Sequence, residues 1–332
     1  MFAATPGELR AKRRGSGESS GGPSAARPGV VSVELAVREP YDLAPTLAFL
    51  GARAVAGVEH TDGTTYCRSL ALPRGHGVVA VLGTARTGGR TYVRADLELQ
   101  DWRDLSPAVR RVRRLLDLDA DPVATDALLG SDPALAPLVA AHPGRRVPGS
   151  SDPFETAVRA VVGQQVSVGG ARTILGRITA STGDRLAIAH DVLTHVFPSP
   201  DAVAALDEAA LPMPALRRRT LVELGARAAI GKLPLDVGAD REEARAALLD
   251  VPGIGPWTAD YVMMRGFGDP DVFLPTDLGV VRGLSALGID AARSERWRPW
   301  RSYAMAHVWS AATVQPPALI GSSPQHERLH RS

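Results

Sequence analysis

The sequence predicts an α+β fold, in which a small antiparallel-sheet α/β domain precedes an all-helical region. Several strand-like runs, separated by glycine-containing turns, occur within the first 120 of the 332 residues. After residue 120 such runs nearly vanish, and apolar residues recur with the spacing of helices. The hydrophobic fraction is 45%, and no apolar run approaches the roughly 20 residues that cross a bilayer. We therefore expect a soluble protein that makes no membrane contact.

The amino-terminal elements alternate between strands and two helices. Segments with strand character are 30–40, 64–72, 77–85 and 91–99, and segments with helix character are 43–55 and 106–118. In the second helix Ser106 is expected to be the N-cap, with Pro107 in the first turn. The order of these elements predicts one α+β domain over residues 30–120.

The remaining elements are all predicted helices. They are 199–211, 214–231, 240–251, 276–287 and 298–314, together with two helices inside 152–182 that are interrupted at 163–170. We therefore expect a helical region over residues 121–316 and a polar tail at 317–332. Residues 1–29 are expected to be a basic tail and a flexible linker, because 15–29 is rich in Gly, Ser and Pro.

Composition and charge exclude several classes of site. Cys67 is the single cysteine, which excludes an internal disulfide, a cysteine zinc site and a four-cysteine iron–sulfur cluster. The sequence begins without the apolar segment of a signal peptide, so we expect a cytoplasmic protein. The net charge is +2, and residues 1–29 hold five basic and two acidic side chains, which leaves the rest of the chain nearly neutral. Any nucleic-acid site must therefore be local rather than a general basic field.

The stretch VPGIGPWTA, residues 251–259, joins two helical runs by a turn that carries Gly253 and Gly255. The glycines permit a sharp reversal, and Pro256 suits the first turn of the next helix. Backbone N–H groups around Gly253, Gly255 and Thr258 then lie at the positive end of that helix, where an anion binds. This pattern predicts a helix-hairpin-helix, which clamps DNA phosphates without reading sequence. The alternative is two packed helices joined by a glycine turn.

Asp277 lies twenty residues after Trp257, at the expected start of a helix. Taken alone it could be a helix cap and nothing more. Next to the hairpin it is also a candidate catalytic carboxylate, because an ionised carboxylate stabilises a sugar oxocarbenium ion. Half of the 16 aromatic residues lie between 257 and 309, and a base taken out of the DNA stack needs aromatic walls. Two of these aromatics, Phe267 and Phe273, are assigned to the core.

Six segments, in order along residues 31–316, resemble the bacterial DNA-3-methyladenine glycosylase II family. They are PYDLAPTLAFLGARAV, YCRSLAL, VRAVVGQQVSV, VPGIGPWTADYVMMRGF, DVFLPTDLGVVR and RWRPWRSYAMAHVW. The resemblance implies a helix-hairpin-helix glycosylase region made of two helical subdomains with a cleft between them. It also implies a monofunctional enzyme of base excision repair. Such an enzyme flips alkylated bases, such as 3-methyladenine and 7-methylguanine, out of double-stranded DNA and hydrolyses their N-glycosidic bonds.

The resemblance assigns catalytic and pocket roles to individual residues. It makes Asp277 the catalytic carboxylate and places pocket aromatics at Phe49, Trp257, Tyr261 and Trp309. No cofactor is implied for catalysis, and we expect a monomer that acts on double-stranded DNA with alkylated bases.

The resemblance also assigns backbone contacts and a wedge. The hairpin amides that hold DNA are those of Gly253, Gly255 and Thr258. Gln165 falls where the family wedges a side chain, often leucine, into the gap left by the flipped base. The carbonyl oxygens that hold a monovalent cation, Na⁺ or K⁺, are those of Leu249, Val251 and Ile254. At two positions where the family can carry an aromatic residue this chain has Leu278 and Ser310, so the range of lesions that it accepts is left open. A separate interpretation is that the glutamine pair 164–165 caps a helix turn.

Two alternative functions stay open from the sequence. A bifunctional glycosylase/lyase would need a lysine amine for a Schiff base. In related hairpin glycosylases that lysine falls at Trp257, and Lys232 is the single lysine outside the tail. The other alternative is a non-catalytic helix-hairpin-helix DNA-binding module or a regulator. The stretch FAATPGELRAKRR resembles the closing helix of an arabinose-regulator-type helix-turn-helix, which suggests the rear part of a fusion with an alkyl-DNA methyltransferase and regulator.

Overall fold

A five-stranded sheet occupies the amino-terminal part of the computed structural model, which describes residues 29–314. The strands are β1 (Val30–Ala36), β2 (Glu59–Thr61), β3 (Tyr66–Leu72), β4 (Gly75–Thr87) and β5 (Arg90–Leu99). Their order in the sheet is β1-β5-β4-β3-β2, and the pairs β2–β3, β3–β4 and β4–β5 are antiparallel. The predicted α+β class is therefore confirmed.

The β4–β5 hairpin shows how local sequence sets the register of this sheet. Thr87 pairs with Arg90 across a two-residue turn made of Gly88 and Gly89. Both glycines have positive φ, 58° and 78°, which a tight hairpin turn with right-handed twist requires. Since the turn fixes the register, alternate residues of β4 and β5 face the core of the sheet.

Twelve α-helices are present within the described residues. Before the helical region these are α1 (Ala44–Ala52) and α2 (Leu105–Leu115). The rest are α3 (Pro122–Gly130), α4 (Ala136–Ala141), α5 (Pro153–Gly163), α6 (Val168–Thr182), α7 (Pro200–Ala204), α8 (Ala215–Ala229), α9 (Arg241–Leu249), α10 (Pro256–Gly266), α11 (Leu278–Leu287) and α12 (Arg301–Val314). No described helix is long and apolar enough to cross a membrane.

Three sequence-based expectations about these elements were wrong. Ser106 is not an N-cap, because it lies inside α2. A 3-10 turn at Trp102–Asp104, whose N-cap is Asp101, leads directly into that helix. The single helix expected at 199–211 is instead the short α7 followed by a 3-10 turn. Helices α3 and α4 were missed, although the Asp121 side chain caps α3 ahead of Pro122, a common start signal.

Two main hydrophobic clusters lie under these elements. One joins the sheet to α2 through Ala108, Val112 and Leu115, which are spaced to face one side of that helix. The other lies mainly in the helical region, where it includes Phe267 and Trp297 with Phe273 packed against it, and it also takes in Val55 and Val58 from before residue 120. We propose these clusters as the physical basis of domains at 30–120 and 121–316. The predicted tails, residues 1–29 apart from Gly29 and residues 317–332, lie outside the described residues.

A buried ionic cluster joins β2 and β3 to α5. Arg68 Nη2 lies 2.7 Å from Glu155 Oε2, and Arg159 Nη2 lies 2.5 Å from Glu59 Oε2. Burial opposes the charge on Glu155, yet Arg68 and Arg159 together lower its pKa to about 2. Charges this deep need partners, so the cluster holds the sheet and α5 in one fixed arrangement. The remaining guanidinium nitrogen of Arg159, Nη1, donates to the carbonyl of Arg53 at 3.2 Å and so fixes the end of α1 to this cluster.

Candidate active site

The predicted hairpin is formed by α9, a turn over residues 250–255, and α10. Gly253 has a φ of +91°, and a Cβ there would lie 2.1 Å from Thr220 Oγ1. The Thr220 hydroxyl, on α8, donates to the Pro252 carbonyl at 2.7 Å and so stabilises the turn. Gly255 is the N-cap of α10 and is exposed, with open space where a side chain would stand. Since no side chain caps α10, its first N–H groups face outward at the positive end of the helix.

Gln164, one of the glutamine pair that the sequence suggests as a helix cap, is the C-cap residue of α5 and also links this hairpin to the loop between α5 and α6. Its Nε2 donates to the Gly253 carbonyl at 3.2 Å and to Thr258 Oγ1 at 3.1 Å. Gln165 follows it with a φ of +54° and is exposed. Val166 and Val168 beside it are also exposed. The loop therefore presents Gln165 and two apolar side chains while Gln164 anchors it to the hairpin.

Asp277 is the N-cap of α11, and its carboxylate is surrounded by N–H donors. Oδ1 accepts from the amides of Gly279 and Val280 at 2.9 and 3.0 Å, which is helix capping. The same oxygen accepts from the indole Nε1 of Trp309 at 2.8 Å. Oδ2 accepts from the indole Nε1 of Trp257 at 3.3 Å. The residue is thus a cap and also a carboxylate held between two indoles.

A cleft of about 1030 Å³ opens beside this carboxylate. Its lining includes Asp277 and the four predicted pocket aromatics, Phe49, Trp257, Tyr261 and Trp309. Trp257 and Tyr261, one turn apart on α10, stack with ring centroids 5.2 Å apart and planes inclined by 15°. The structure therefore brings together residues from α1, α10, α11 and α12, which are separated by up to 260 positions in the sequence.

Two arginines in the cleft were not predicted. Arg53 and Arg265 place their guanidinium carbons 3.6 and 4.1 Å from the centroid of the Phe49 ring. Burial lowers the pKa of Arg265 to about 10, which still leaves it charged at neutral pH. Its Nη2 donates to the Gly149 carbonyl at 3.3 Å. Phe49 is therefore in contact with two cations. Arg53 follows Phe49 by four positions, a helical spacing that could have indicated the contact, whereas Arg265 is 216 positions away and its contact has no local signal.

Comparison with known proteins identifies the family. Residues 32–152 match the model of the AlkA N-terminal domain. A DNA-3-methyladenine glycosylase 2 of Escherichia coli is 38% identical over 284 residues, which cover 83% of this chain and 96% of that relative. The chain belongs to the DNA-3-methyladenine glycosylase 2 family.

A longer relative and several solved structures extend this finding. A probable bifunctional transcriptional activator/DNA repair enzyme AlkA of Mycobacterium tuberculosis is 43% identical over 331 residues, 98% of this chain. This chain spans 64% of that relative's length. A solved 3-methyladenine DNA-glycosylase from Archaeoglobus fulgidus superposes with a TM-score of 0.71 at 21% identity, over 87% of this chain and all of that one. An 8-oxoguanine glycosylase/lyase of Clostridium acetobutylicum superposes with a TM-score of 0.61 at 17% identity, over 82% of this chain and 91% of that one. These two likenesses show the helix-hairpin-helix glycosylase fold.

The carbonyls that the glycosylase 2 resemblance assigns to a cation lie at the end of α9 and in the hairpin turn. The side chains of Val251 and Ile254 are buried, so these residues offer the backbone rather than a side chain. The Val251 carbonyl accepts from the Ile254 amide at 3.0 Å and keeps a second lone pair. No cluster of His, Cys, Asp or Glu suited to a metal occurs among residues 29–314. Backbone carbonyl oxygens suit a hard cation, and the assignment of these carbonyls to a monovalent cation stays a prediction.

The departures from the glycosylase 2 pattern also have clear positions. Leu278 is 70% exposed at the start of α11, outside the aromatic walls. Ser310 lines the cleft, and its hydroxyl donates to the His307 carbonyl at 2.6 Å. Lys232 is exposed after α8 and is not among the residues that line the cleft.

Proposed function

We propose that this chain is a monofunctional DNA glycosylase that removes alkylated purines from double-stranded DNA. The observation that carries the proposal is the Asp277 carboxylate, which lies in an aromatic cleft between two indole N–H donors. A phosphate clamp that only binds DNA needs neither this carboxylate nor the cleft. Membership in the DNA-3-methyladenine glycosylase 2 family supports the same function.

DNA binding begins at the hairpin in this proposal. The outward N–H groups around Gly253, Gly255 and Thr258 donate hydrogen bonds to phosphate oxygens without reading base sequence. Gln165, on the loop that Gln164 ties to the hairpin, fills the space that the flipped base leaves. The lesion then enters the cleft, where Trp257 and Tyr261 offer a continuous aromatic face. Electron-rich rings favour a cationic base, which is the form of a purine alkylated at N3 or N7.

The chemical step breaks the bond between C1′ of the sugar and the base nitrogen. The electron pair of that bond goes to the base, and the cationic alkylpurine therefore leaves as a neutral molecule. The sugar becomes an oxocarbenium ion, which the negative charge of Asp277 stabilises. A water oxygen then bonds to C1′ and releases its proton to solvent, which leaves an abasic site. The good leaving group removes the need for a second, acidic residue.

The distribution of lysines supports hydrolysis without a Schiff base. Trp257 occupies the hairpin position at which related bifunctional enzymes carry lysine, and its indole contacts Asp277 instead. Lys232 is exposed and lies outside the lining of the cleft. An amine that cannot reach the sugar cannot trap it covalently.

The remaining partners follow from this chemistry. We expect one monomer per lesion, no cofactor in the chemical step, and action on chromosomal DNA in the cytoplasm. A monovalent cation held by the carbonyls of Leu249, Val251 and Ile254 would stiffen the hairpin turn. Replacing Na⁺ and K⁺ by a bulky organic cation should then weaken DNA binding. The thermal unfolding temperature of the protein should stay unchanged.

The proposed function is tested by incubating the protein with randomly methylated duplex DNA and separating the released bases by chromatography. We expect free 3-methyladenine and 7-methylguanine, together with alkali-labile abasic sites in the DNA. Binding of the same DNA with no released base would overturn the proposal and favour the non-catalytic DNA-binding module.

A further inference from the structure

The two oxygens of the Asp277 carboxylate are held very differently. Oδ1 receives three N–H donors, from Gly279, Val280 and Trp309, at 2.8 to 3.0 Å. Oδ2 receives the longer bond from Trp257, at 3.3 Å. Because a carboxylate oxygen offers about two lone-pair sites, Oδ1 is fully engaged and Oδ2 keeps the capacity for another contact.

Gly279 is what allows the third donor to reach Oδ1. A Cβ at this position would lie 2.7 Å from Cδ1 and 3.0 Å from Nε1 of the Trp309 indole, and 3.1 Å from Oδ1 itself. Its φ lies outside the positive region, so the backbone conformation does not demand glycine. The missing side chain therefore provides space for the edge of the indole.

Gly283, one turn further along α11, shows the contrast with a glycine that serves packing. A Cβ there would lie 2.1 Å from the carbonyl oxygen of Val308, so the backbones of α11 and α12 meet at this point. At Gly279 the obstructed atoms belong to a side chain and to the carboxylate. A methyl group at 279 would displace the indole, whereas one at 283 would separate the two helices.

We propose that Gly279 and the indole N–H of Trp309 are positioning elements that fix Oδ1 as an anchor and present Oδ2 to the reacting sugar. This inference rests on the proposed function and specifies which carboxylate oxygen acts. Rotation of the carboxylate would break three hydrogen bonds to a charged oxygen at once, so the geometry is set before the substrate arrives. Trp309 then has two roles, since its ring lines the cleft while its N–H holds Asp277.

The inference is tested with Gly279→Ala, Trp309→Phe and the double variant. Trp309→Phe keeps an aromatic ring and removes the N–H donor, and Gly279→Ala keeps the indole and displaces it. Gly176→Ala on α6 is the matched control, because its Cβ would have its nearest contact at 3.8 Å. Thermal unfolding of each variant checks that the fold is retained.

Two readouts separate positioning from packing. The first is single-turnover release of 7-methylguanine, where each single variant should be slower by about tenfold to a hundredfold, as for a lost hydrogen bond to a charged group. The double variant should be no more than about twofold slower than the worse single variant, since both changes remove the same bond. The second is the affinity ratio between DNA with a cationic pyrrolidine abasic analogue and DNA with a neutral tetrahydrofuran analogue. Both single variants should lower this ratio, while affinity for the neutral analogue stays within about threefold of wild type.

Normal release by Gly279→Ala, or multiplicative losses in the double variant, would overturn the positioning role. Equal losses of affinity for both analogues would also overturn it, because they would make Trp309 a wall and nothing more. The proposed function fails differently, through the absence of base release from the wild-type protein. The ratio of analogue affinities still reports on the carboxylate in that case.

Discussion

The hairpin and the cleft are built in opposite ways. The hairpin uses backbone groups from one continuous stretch, and its key residues are glycines whose importance lies in a missing side chain. The cleft uses side chains from four helices. Two of these side chains, Trp257 and Trp309, donate their indole N–H groups to the Asp277 carboxylate. A local motif can specify a phosphate clamp, whereas a catalytic carboxylate needs a folded frame to bring its partners within hydrogen-bond distance. Amino-acid substitutions in the two regions should therefore have different effects on stability, DNA binding and activity.

The largest effect is expected where the cleft depends on the buried ionic cluster. Glu155→Gln leaves the two buried cations of Arg68 and Arg159 with one carboxylate, Glu59, so one positive charge is no longer neutralised. We expect a loss of about 3–5 kcal/mol in the free energy of unfolding, measured by urea denaturation. The matched control is Glu223→Gln in the exposed pair with Arg227, which should cost less than about 1 kcal/mol. Equal effects at the two sites would show that the cluster does not hold the frame of the cleft.

The same carboxylate predicts a pH dependence of stability. Its pKa is lowered to about 2 in the folded protein from an ordinary value of 4.5. The stabilisation is therefore present above about pH 4.5 and is lost as the pH falls towards 2, because the unfolded chain binds the proton more readily. Compared with wild type, Glu155→Gln should show a flatter decline of unfolding free energy across this range. An unchanged slope would contradict the ionised state assigned to Glu155.

The hairpin should respond to methyl groups according to position. Gly253→Ala combines a positive φ with a contact on Thr220, and should cost about 1–3 kcal/mol of stability as well as DNA affinity. Gly255→Ala meets open space at a φ of −95°, so its stability should be unchanged. Its methyl group would stand where a phosphate approaches, so affinity for DNA should fall by about tenfold. Fluorescence anisotropy with undamaged duplex DNA measures this, and a normal affinity for Gly255→Ala would argue against the clamp.

The smallest effect is expected at Lys232. Since this side chain is exposed and away from the cleft lining, Lys232→Ala should release alkylated bases at the wild-type rate. Borohydride added during the reaction should trap no covalent complex with either protein. A trapped complex that disappears in Lys232→Ala would mean that the enzyme is a glycosylase/lyase.

The contrast between the two regions also explains how far the sequence could be interpreted. The hairpin and the cap at Asp277 were predictable because each depends on residues within a few positions of one another. The α+β class followed from periodicity and glycine turns, whereas the order of the strands in the sheet and the short strand β2 were not predicted. The contact of Gln164 with the hairpin and that of Arg265 with Phe49 were missed because they join segments about 90 and more than 200 positions apart. Arg53 was missed although it follows Phe49 by only four positions. Ser106 was misassigned for a local reason, since a 3-10 turn capped by Asp101 starts the helix earlier.

The most direct test of the central claim is a comparison of chemistry and binding in Asp277→Asn. Asparagine keeps an oxygen that can cap α11 and accept from Trp309, so the fold and the hairpin should be retained. The negative charge is lost, and removal of one preorganised electrostatic stabiliser typically slows the chemical step by about a hundred- to thousandfold. We predict that Asp277→Asn binds DNA with a neutral abasic analogue within about tenfold of wild type, roughly 1.4 kcal/mol, and releases almost no 3-methyladenine in single-turnover assays. Near-normal release by this variant would contradict the account and leave Asp277 as a helix cap.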